Sequence, residues 1–537
     1  MLHDLLRHAS QTVVQQWTDA QTQWTWLGGS CFVLTIFVVW QVAKWWMIYA
    51  NRPKNLYIGE AWPTQVFAKW LGSLKFVMAG ADAIAETYRK IGGGAAFAIP
   101  SLSEYQVLVS SQQHIKELTQ SPERVLSFHM AMEQRLRHKY TMFGFEHNDI
   151  DPHNSIPSRV LKVLLRMSLP KLQSRLQAPI QKVLSEELGR KEAVDGWKTV
   201  SAFGLVKRII SQVNNQILFG EELASNHEFQ EATIRYNHDV VVTMEVCRHI
   251  PSLLVPIVAT VMMGWSGAMK KVASFVTPLV EERLRQENNS KDSKQKPQDC
   301  IQWIIDSSHT PRQRTVSRLV QQAIAILFAS AHQMPMGLVY AIYNLCIHPE
   351  YIAPLREEIE QASGKWNLGD QFEHMPLLDS FLRESARLNP LDALSIQRMA
   401  LVPFTFSDGT HVPAGNLLAV PQQAFMRDGR HYTDPERFDG FRFVAFDEDG
   451  GSLRSRPKFT DVSWTYPYWG SVKKACPARW YVSRTLKQVL TILIRDYDLK
   501  LADEKAPRSF IWTTAIVPRF DTALMLRKRD QAQQDPS

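Results

Sequence analysis

Cys476 lies in the stretch Trp469-Gly-Ser-Val-Lys-Lys-Ala-Cys-Pro-Ala-Arg479, with a glycine turn and two lysines just before it. A thiol becomes a ligand or nucleophile only as the thiolate, and ammonium groups together with converging backbone N–H donors favour that form. A tight turn opening a helix at Pro477 to Trp480 supplies such donors, because the first N–H groups of a helix have no partner inside it. The setting points to a metal ligand; a half-buried cysteine in an ordinary loop is the competing reading.

Glu384-Ser-Ala-Arg387 places a carboxylate and a guanidinium on one face of a helix that Pro390 ends. Alone, the pair would be a surface contact of little consequence. Pro435-Glu-Arg-Phe438, in a later irregular segment, offers a second guanidinium, Arg437. Glu384, Arg387 and Arg437 form a candidate buried triad that locks the segment leading to the cysteine loop. Burial of such a triad is tolerated only when its bonds are satisfied.

The elements that must position these residues come from a chain of 537 residues, 45% of them apolar, which is enough for a large core. The net charge of +8 is spread along the sequence. That argues against a nucleic-acid partner and for an anionic membrane surface or an acidic redox partner. The five cysteines, Cys31, Cys247, Cys300, Cys346 and Cys476, are far apart and without Cys-x-x-Cys spacing. This pattern speaks for a reducing compartment, with neither a disulfide framework nor a zinc site.

Leu27 to Ala43 is uncharged and mostly apolar, flanked by tryptophans and followed by Lys44, Arg52 and Lys54. It has the length and anchors of a membrane-spanning helix, and the basic flank puts the C-terminal body in the cytosol. A signal peptide fits less well, because no basic residue immediately precedes the run and no small-x-small exit follows it. A buried core helix is the other alternative. The expected organisation is a tail and anchor over 1–50 and one body over 51–537, joined by a hinge at Asn51–Asn55.

Helical periodicity dominates from Pro157 to Ser385, including Val160–Leu169, Val272–Arg285, Ser317–Cys346 and Leu355–Ala362. Gln286 to Asp299 reads as an exposed loop or a linker, and Leu401 to Val420 as a small hairpin. Asp428 to Gly470 is irregular. A final helix, Arg479 to Tyr497, precedes a β-like tail from Phe510 to Leu526. The fold class is mainly α with small β-sheets.

Taken in order, the apolar N-terminal segment, E-x-x-R, the hairpin, P-E-R-F and W-G-x-x-x-K-x-C-P-A-R resemble a cytochrome P450 from about Asn55 to Lys528. The Trp469–Lys474 form of the loop and Asp151-Pro-His-Asn-Ser-Ile156 are similar to the fungal microsomal branch associated with secondary metabolism. The resemblance implies haem between a long central helix and the cysteine loop, with Cys476 as its axial thiolate. It implies that Lys474 and Arg398 face haem propionates, with Arg159 as a third candidate, and that Trp469 is an aromatic lid beside the thiolate. Val472 replaces a usual glycine, and a β-branched residue resists positive φ.

Phe328-Ala-Ser-Ala-His-Gln-Met-Pro335 lies where the family has its acid–alcohol pair, so His332 takes the acid position and Gln333 the threonine position. Glutamine is neither an acid nor a hydroxyl, although its amide can hold a water. The histidine serves a proton relay if its pKa lies near neutrality; otherwise it packs against neighbouring helices. Pro335 should keep a kink here.

The implied protein is a single-pass haem-thiolate monooxygenase of the endoplasmic reticulum membrane. It takes electrons from NADPH-cytochrome P450 reductase, with Lys473 and Lys474 on the docking face. It hydroxylates, epoxidises or desaturates a lipophilic secondary metabolite such as a terpenoid, and Phe328, Ala329 and Met334 favour an apolar compound. Two alternatives remain at this level: a haem-thiolate isomerase or dehydratase that needs no O2, and a non-catalytic haem sensor.

Overall fold

Apolar residues recurring every three or four positions from Pro157 onward fold as helices that bury those faces against one another. In the computed structural model, residues 66–529 are described apart from 101–104, 147–149, 151–154, 290–295, 368 and 447–452, together with scattered positions between 35 and 58. One contiguous hydrophobic cluster runs from Phe76 to Leu526, so the described body shares a single core. The expected membrane span, the hinge and the Asp151–Asn154 part of the Asp151–Ile156 motif lie largely outside the described residues. Within the span, Ile36, Val38, Val39 and Val42 are helical and more than half exposed, as is Trp46 just beyond it.

The centre of the body is a helix with two halves, Val316–Ala331 and Gln333–Ile347. The expected continuous helix Ser317–Cys346 is therefore interrupted, at His332 (φ −100°, ψ −54°). Pro335 has no N–H for the carbonyl of Ala331, four residues earlier, and its ring crowds that carbonyl. The break accordingly falls one turn before the proline. Helix Ala202–Phe219 packs on both halves. Its buried Asn214 donates from Nδ2 to Ser330 O (3.1 Å) and accepts from the Tyr481 hydroxyl (2.8 Å), tying in the final helix, Arg479–Asp496.

A six-stranded sheet has the order Tyr57–Ile58, Phe97–Pro100, Tyr105–Leu108, Leu417–Val420, Ser395–Ala400, Leu126–Ser127. The hairpin expected over Leu401–Val420 is smaller than its sequence promised: only Phe404–Thr405 and His411–Val412 pair. Leu417–Val420 instead runs antiparallel to Ser395–Ala400 and parallel to Tyr105–Leu108, burying every residue. The loop expected from Gln286 begins later, because helix Ala268–Asn289 extends into it. The β-like tail is present as Ser509–Trp512, Ala515–Pro518 and Ala523–Lys528.

Candidate active site

The Cys476 loop is closed by its own backbone. Cys476 N–H donates to Trp469 O (2.7 Å), and Gly470 bridges Ala475. Gly470 has φ +93°, and a Cβ there would stand 2.8 Å from Lys474 O, so glycine is required. Val472 is exposed and is not among the positive-φ residues, which removes the conflict expected from its branched side chain. Trp469 is buried and donates from Nε1 to Phe459 O (2.6 Å), fixing the ring beside the loop.

Burial pushes the Cys476 thiol above its ordinary pKa, while amide N–H groups of Ala478 and Arg479 and the Arg479 guanidinium favour the thiolate. The helix-start donors are thus those expected. The helping cation is Arg479, whereas Lys474 turns to Glu123. Arg479 also holds Thr460 O (3.0 Å) and Cys476 O (3.1 Å), which ties the turn to the preceding segment.

Glu384 and Arg387 pair as their helix spacing predicts, and the second guanidinium on the carboxylate is not the one expected. Arg387 grips both Glu384 oxygens, at 2.7 and 2.8 Å, with both side chains fully buried. The third side chain is Arg442, whose Nε lies 3.1 Å from Glu384 Oε1. Arg437 contributes its carbonyl, which accepts from Arg442 (3.0 Å) and Arg387 (3.4 Å), while its guanidinium makes no bond to Glu384 among the described residues. The P-E-R-F turn delivers backbone acceptors, and the next arginine in the chain supplies the charge.

Lys474 and Arg398 meet over one ring: their cationic ends lie 5.8 and 5.4 Å from the centre of Phe128. Where the resemblance has Lys474 facing a propionate, its ammonium here pairs with Glu123. Burial opposes ionisation of Glu123, yet hydrogen bonds from His129, Lys474 and Ser127 hold its carboxyl well below the usual range. Arg398 is buried, and the one hydrogen bond of its guanidinium among the described residues is to Gln397 O (2.7 Å). Desolvation lowers its pKa, with Glu123 opposing. Arg159 is exposed at the end of Ser155–Arg159 and is not brought into this cluster by any bond among the described residues.

His332 sits at the break in the central helix, and Gln333 is exposed at the first position of the second half. Burial, then the charges of Arg135 and Lys207, push the His332 pKa down to about 4, with Glu245 opposing. The neutrality required of a protonatable relay is therefore not met, and the imidazole is neutral at physiological pH. His332 and Cys476 are both partly accessible although desolvation dominates their environments. Tyr468 joins the two sides: its hydroxyl would lie 3.4 Å from a Cβ on Gly337 of the second half, and its environment includes Cys476.

These residues fit haem bound through a thiolate. The loop presents one sulfur with two amide donors, and Arg398 is a buried cation with no carboxylate in ion-pair range among the described residues. The family model for Cytochrome P450 matches residues 67–513. This chain belongs to the cytochrome P450 family. Its cofactor is accordingly haem with a cysteine thiolate axial ligand, and it is an oxidoreductase of the monooxygenase type.

The P450 chain is 27% identical over 468 residues to Cytochrome P450 monooxygenase olcJ of Penicillium canescens, covering 86% of each chain. It is 27% identical over 469 residues to Ent-kaurene oxidase P450-4 of Gibberella fujikuroi, covering 86% of this chain and 90% of that one. Among solved structures, retinoic acid bound cyanobacterial CYP120A1 superposes with a TM-score of 0.67 at 17% identity, covering 89% of this chain and all of that one. That likeness establishes the fold. Arg442 and Glu123 were missed from sequence, because no local spacing links them to Glu384 or Lys474, from which an irregular segment and most of the body separate them; Arg479 stands in the quoted motif three residues after Cys476, but the lysines drew the role of helping cation.

Proposed function

We propose that this P450 is a membrane-anchored monooxygenase that oxidises a lipophilic secondary-metabolite intermediate, of the terpenoid class, with O2 and electrons from NADPH-cytochrome P450 reductase. The closed loop that holds Cys476 beside two amide donors carries the reading. Haem on a cysteine thiolate supplies activation of O2, the thiolate favouring O–O cleavage. In this chain, Cys476 Sγ is the ligand and Arg398 the propionate partner, while Trp469 and Tyr468 shield the sulfur from water. Gln333, exposed at the helix break, orients water through its amide, and neutral His332 accepts or donates one hydrogen bond beside it. Lys473 is exposed next to the loop, and Arg166 and Arg479 stack on Trp480 at 3.9 and 3.5 Å, which supports docking of an acidic reductase there.

Two apolar surfaces support membrane attachment. One is the run of exposed helical residues from Ile36 to Trp46. The other is helix Val255–Trp265, preceded by exposed Leu253. The class of substrate is supported by the relative named for ent-kaurene.

The test supplies membranes containing the full chain with reductase, NADPH and a panel of terpenoids, and reads products by mass. A gain of one oxygen, or loss of two hydrogens, that requires NADPH and O2 is expected; product formed without either overturns the reading in favour of isomerisation. Cys476→Ser should abolish the thiolate-type absorption of the reduced carbon monoxide complex, and an unchanged spectrum sinks the ligand assignment.

A further inference from the structure

Helix Phe128–Leu136 carries two polar clusters on one face. Phe128, at its first position, lies beneath Arg398 and Lys474. Arg135 follows seven residues on, two helical turns and about 10 Å further along the same face. There it pairs with Asp392, Nη2 to Oδ2 at 2.5 Å. The helix packs along strand Ser395–Ala400, which carries Arg398 and is entered from Asp392. One wall therefore holds the propionate-facing cation at one end and the Arg135–Asp392 pair at the other.

Other elements close on that second end. Ala393 N–H donates to Thr514 O (2.7 Å), and Asp392 bridges Ala515, so the Ser509–Pro518 hairpin covers the pair. Glu245, on helix His227–His249, accepts from Trp512 Nε1 (2.8 Å), and its charge reaches both Arg135 and His332. Arg135 is thus enclosed by protein yet 22% accessible.

Among the described residues, Asp392 occupies one arm of Arg135, and Nε and Nη1 have no partner. A guanidinium has five donors in a fixed fork, so Nε and Nη1 are available to an acceptor that reaches this end of the wall. The charge is already balanced: Asp392 faces Arg135, its other oxygen takes Leu394 N–H (2.9 Å), and Glu245 faces Arg248 (3.3 Å). A neutral oxygen satisfies the open donors without adding charge.

We propose that Arg135, held in place by Asp392, is a substrate-binding residue that donates to a hydroxyl or carbonyl oxygen on an otherwise apolar substrate. The substrate is thereby oxygenated before it arrives, and the end away from Arg135 is presented to the haem. This rests on the proposed haem-thiolate site, which the carbon monoxide spectrum checks separately in every sample.

The experiment titrates the haem-loaded full chain with a straight-chain alkane, its primary alcohol and its carboxylic acid, and follows the shift of the haem absorption band. The alcohol is expected to bind about tenfold more tightly than the alkane, the worth of one hydrogen bond to a charged donor. Arg135→Lys keeps the ion pair but loses the fork, and should erase that preference while haem content and alkane affinity stay unchanged. Arg135→Met paired with Asp392→Asn, which removes the donors without leaving the carboxylate unpaired, should erase the preference too, under the same spectral check. Equal response to the probes, absent response included, overturns the proposal, as does tightest binding of the acid or a preference that survives in both variants.

Discussion

At Glu384 the identity of the partner decides which mutation matters. Glu384 and Arg387 are fully buried, and Arg442 is the second guanidinium on the same carboxylate, with three carbonyls, of Thr433, Asp434 and Arg437, on its other nitrogens. Removing one member of a buried ionic network leaves the others uncompensated, a loss of about 3–5 kcal/mol. Arg442→Leu should therefore lower stability by that amount and reduce haem retention. Arg437→Ala, which deletes a side chain outside the network and keeps the carbonyl, should cost less than about 0.5 kcal/mol. Denaturant unfolding of the two variants checks both numbers, and equal losses would restore Arg437 to the triad. The pair Glu384–Arg387 was legible because three residues on a helix fix a geometry. The third arginine was not, because an irregular segment fixes none.

At the scale of elements, the E-x-x-R helix Pro376–Leu388 has no side-chain cap of its own; Pro376 starts it. Glu358, on the preceding helix Ile352–Lys365, accepts from Leu377 N–H (2.6 Å) and Leu378 N–H (2.9 Å) and does that work. Burial raises its pKa to about 7, with the two amides and Lys487 opposing and Asp379 adding to the rise. The unfolded chain gives up this proton near pH ~4.3. Between roughly pH 4.3 and 7 the folded state holds more protons, so this group's contribution to stability falls as pH rises through the window. Glu358→Gln, a fixed neutral acceptor, should remove that fall: its stability relative to wild type rises between about pH 4 and about pH 7, by a few kcal/mol at most. Glu358→Ala should lose about 1–2 kcal/mol from the missing cap. Unfolding curves at both ends of the window decide, and a constant difference between wild type and the Glu358→Gln protein refutes the shifted carboxyl. Sequence periodicity found the helices because their apolar faces repeat. It missed Phe97–Pro100 and Tyr105–Leu108 because strands buried at every position show no alternation, and it kept Leu417–Val420 in a local hairpin because a partner at Tyr105 is invisible to nearby residues.

For the whole molecule, the order of motifs carried the family, since each motif alone is common and their sequence along the chain is not. How the body meets a membrane is a matter of surface, which order does not encode. Helix Val255–Trp265 buries Val255, Ala259 and Met263, yet Leu253, Ile257, Val261 and Trp265 are 85%, 64%, 57% and 86% exposed, one per helical turn. A helix apolar on both faces at a protein surface has no reason to be so in water. Each outward side chain gains about 1.5–3 kcal/mol when fully buried, and a terminal tryptophan suits the headgroup boundary. In the full chain reconstituted in bilayers, a fluorophore on Ile257→Cys, in a Cys31→Ser background, should shift to the blue and be quenched by lipid-borne quenchers. The same label on Glu357→Cys, on an exposed helix face elsewhere, should do neither. Exposed Trp265 and Ile257 then mark a membrane contact on the described body itself, apart from the proposed N-terminal anchor. Identical spectra at the two positions would give the outward apolar stripe no lipid to meet and overturn this contact.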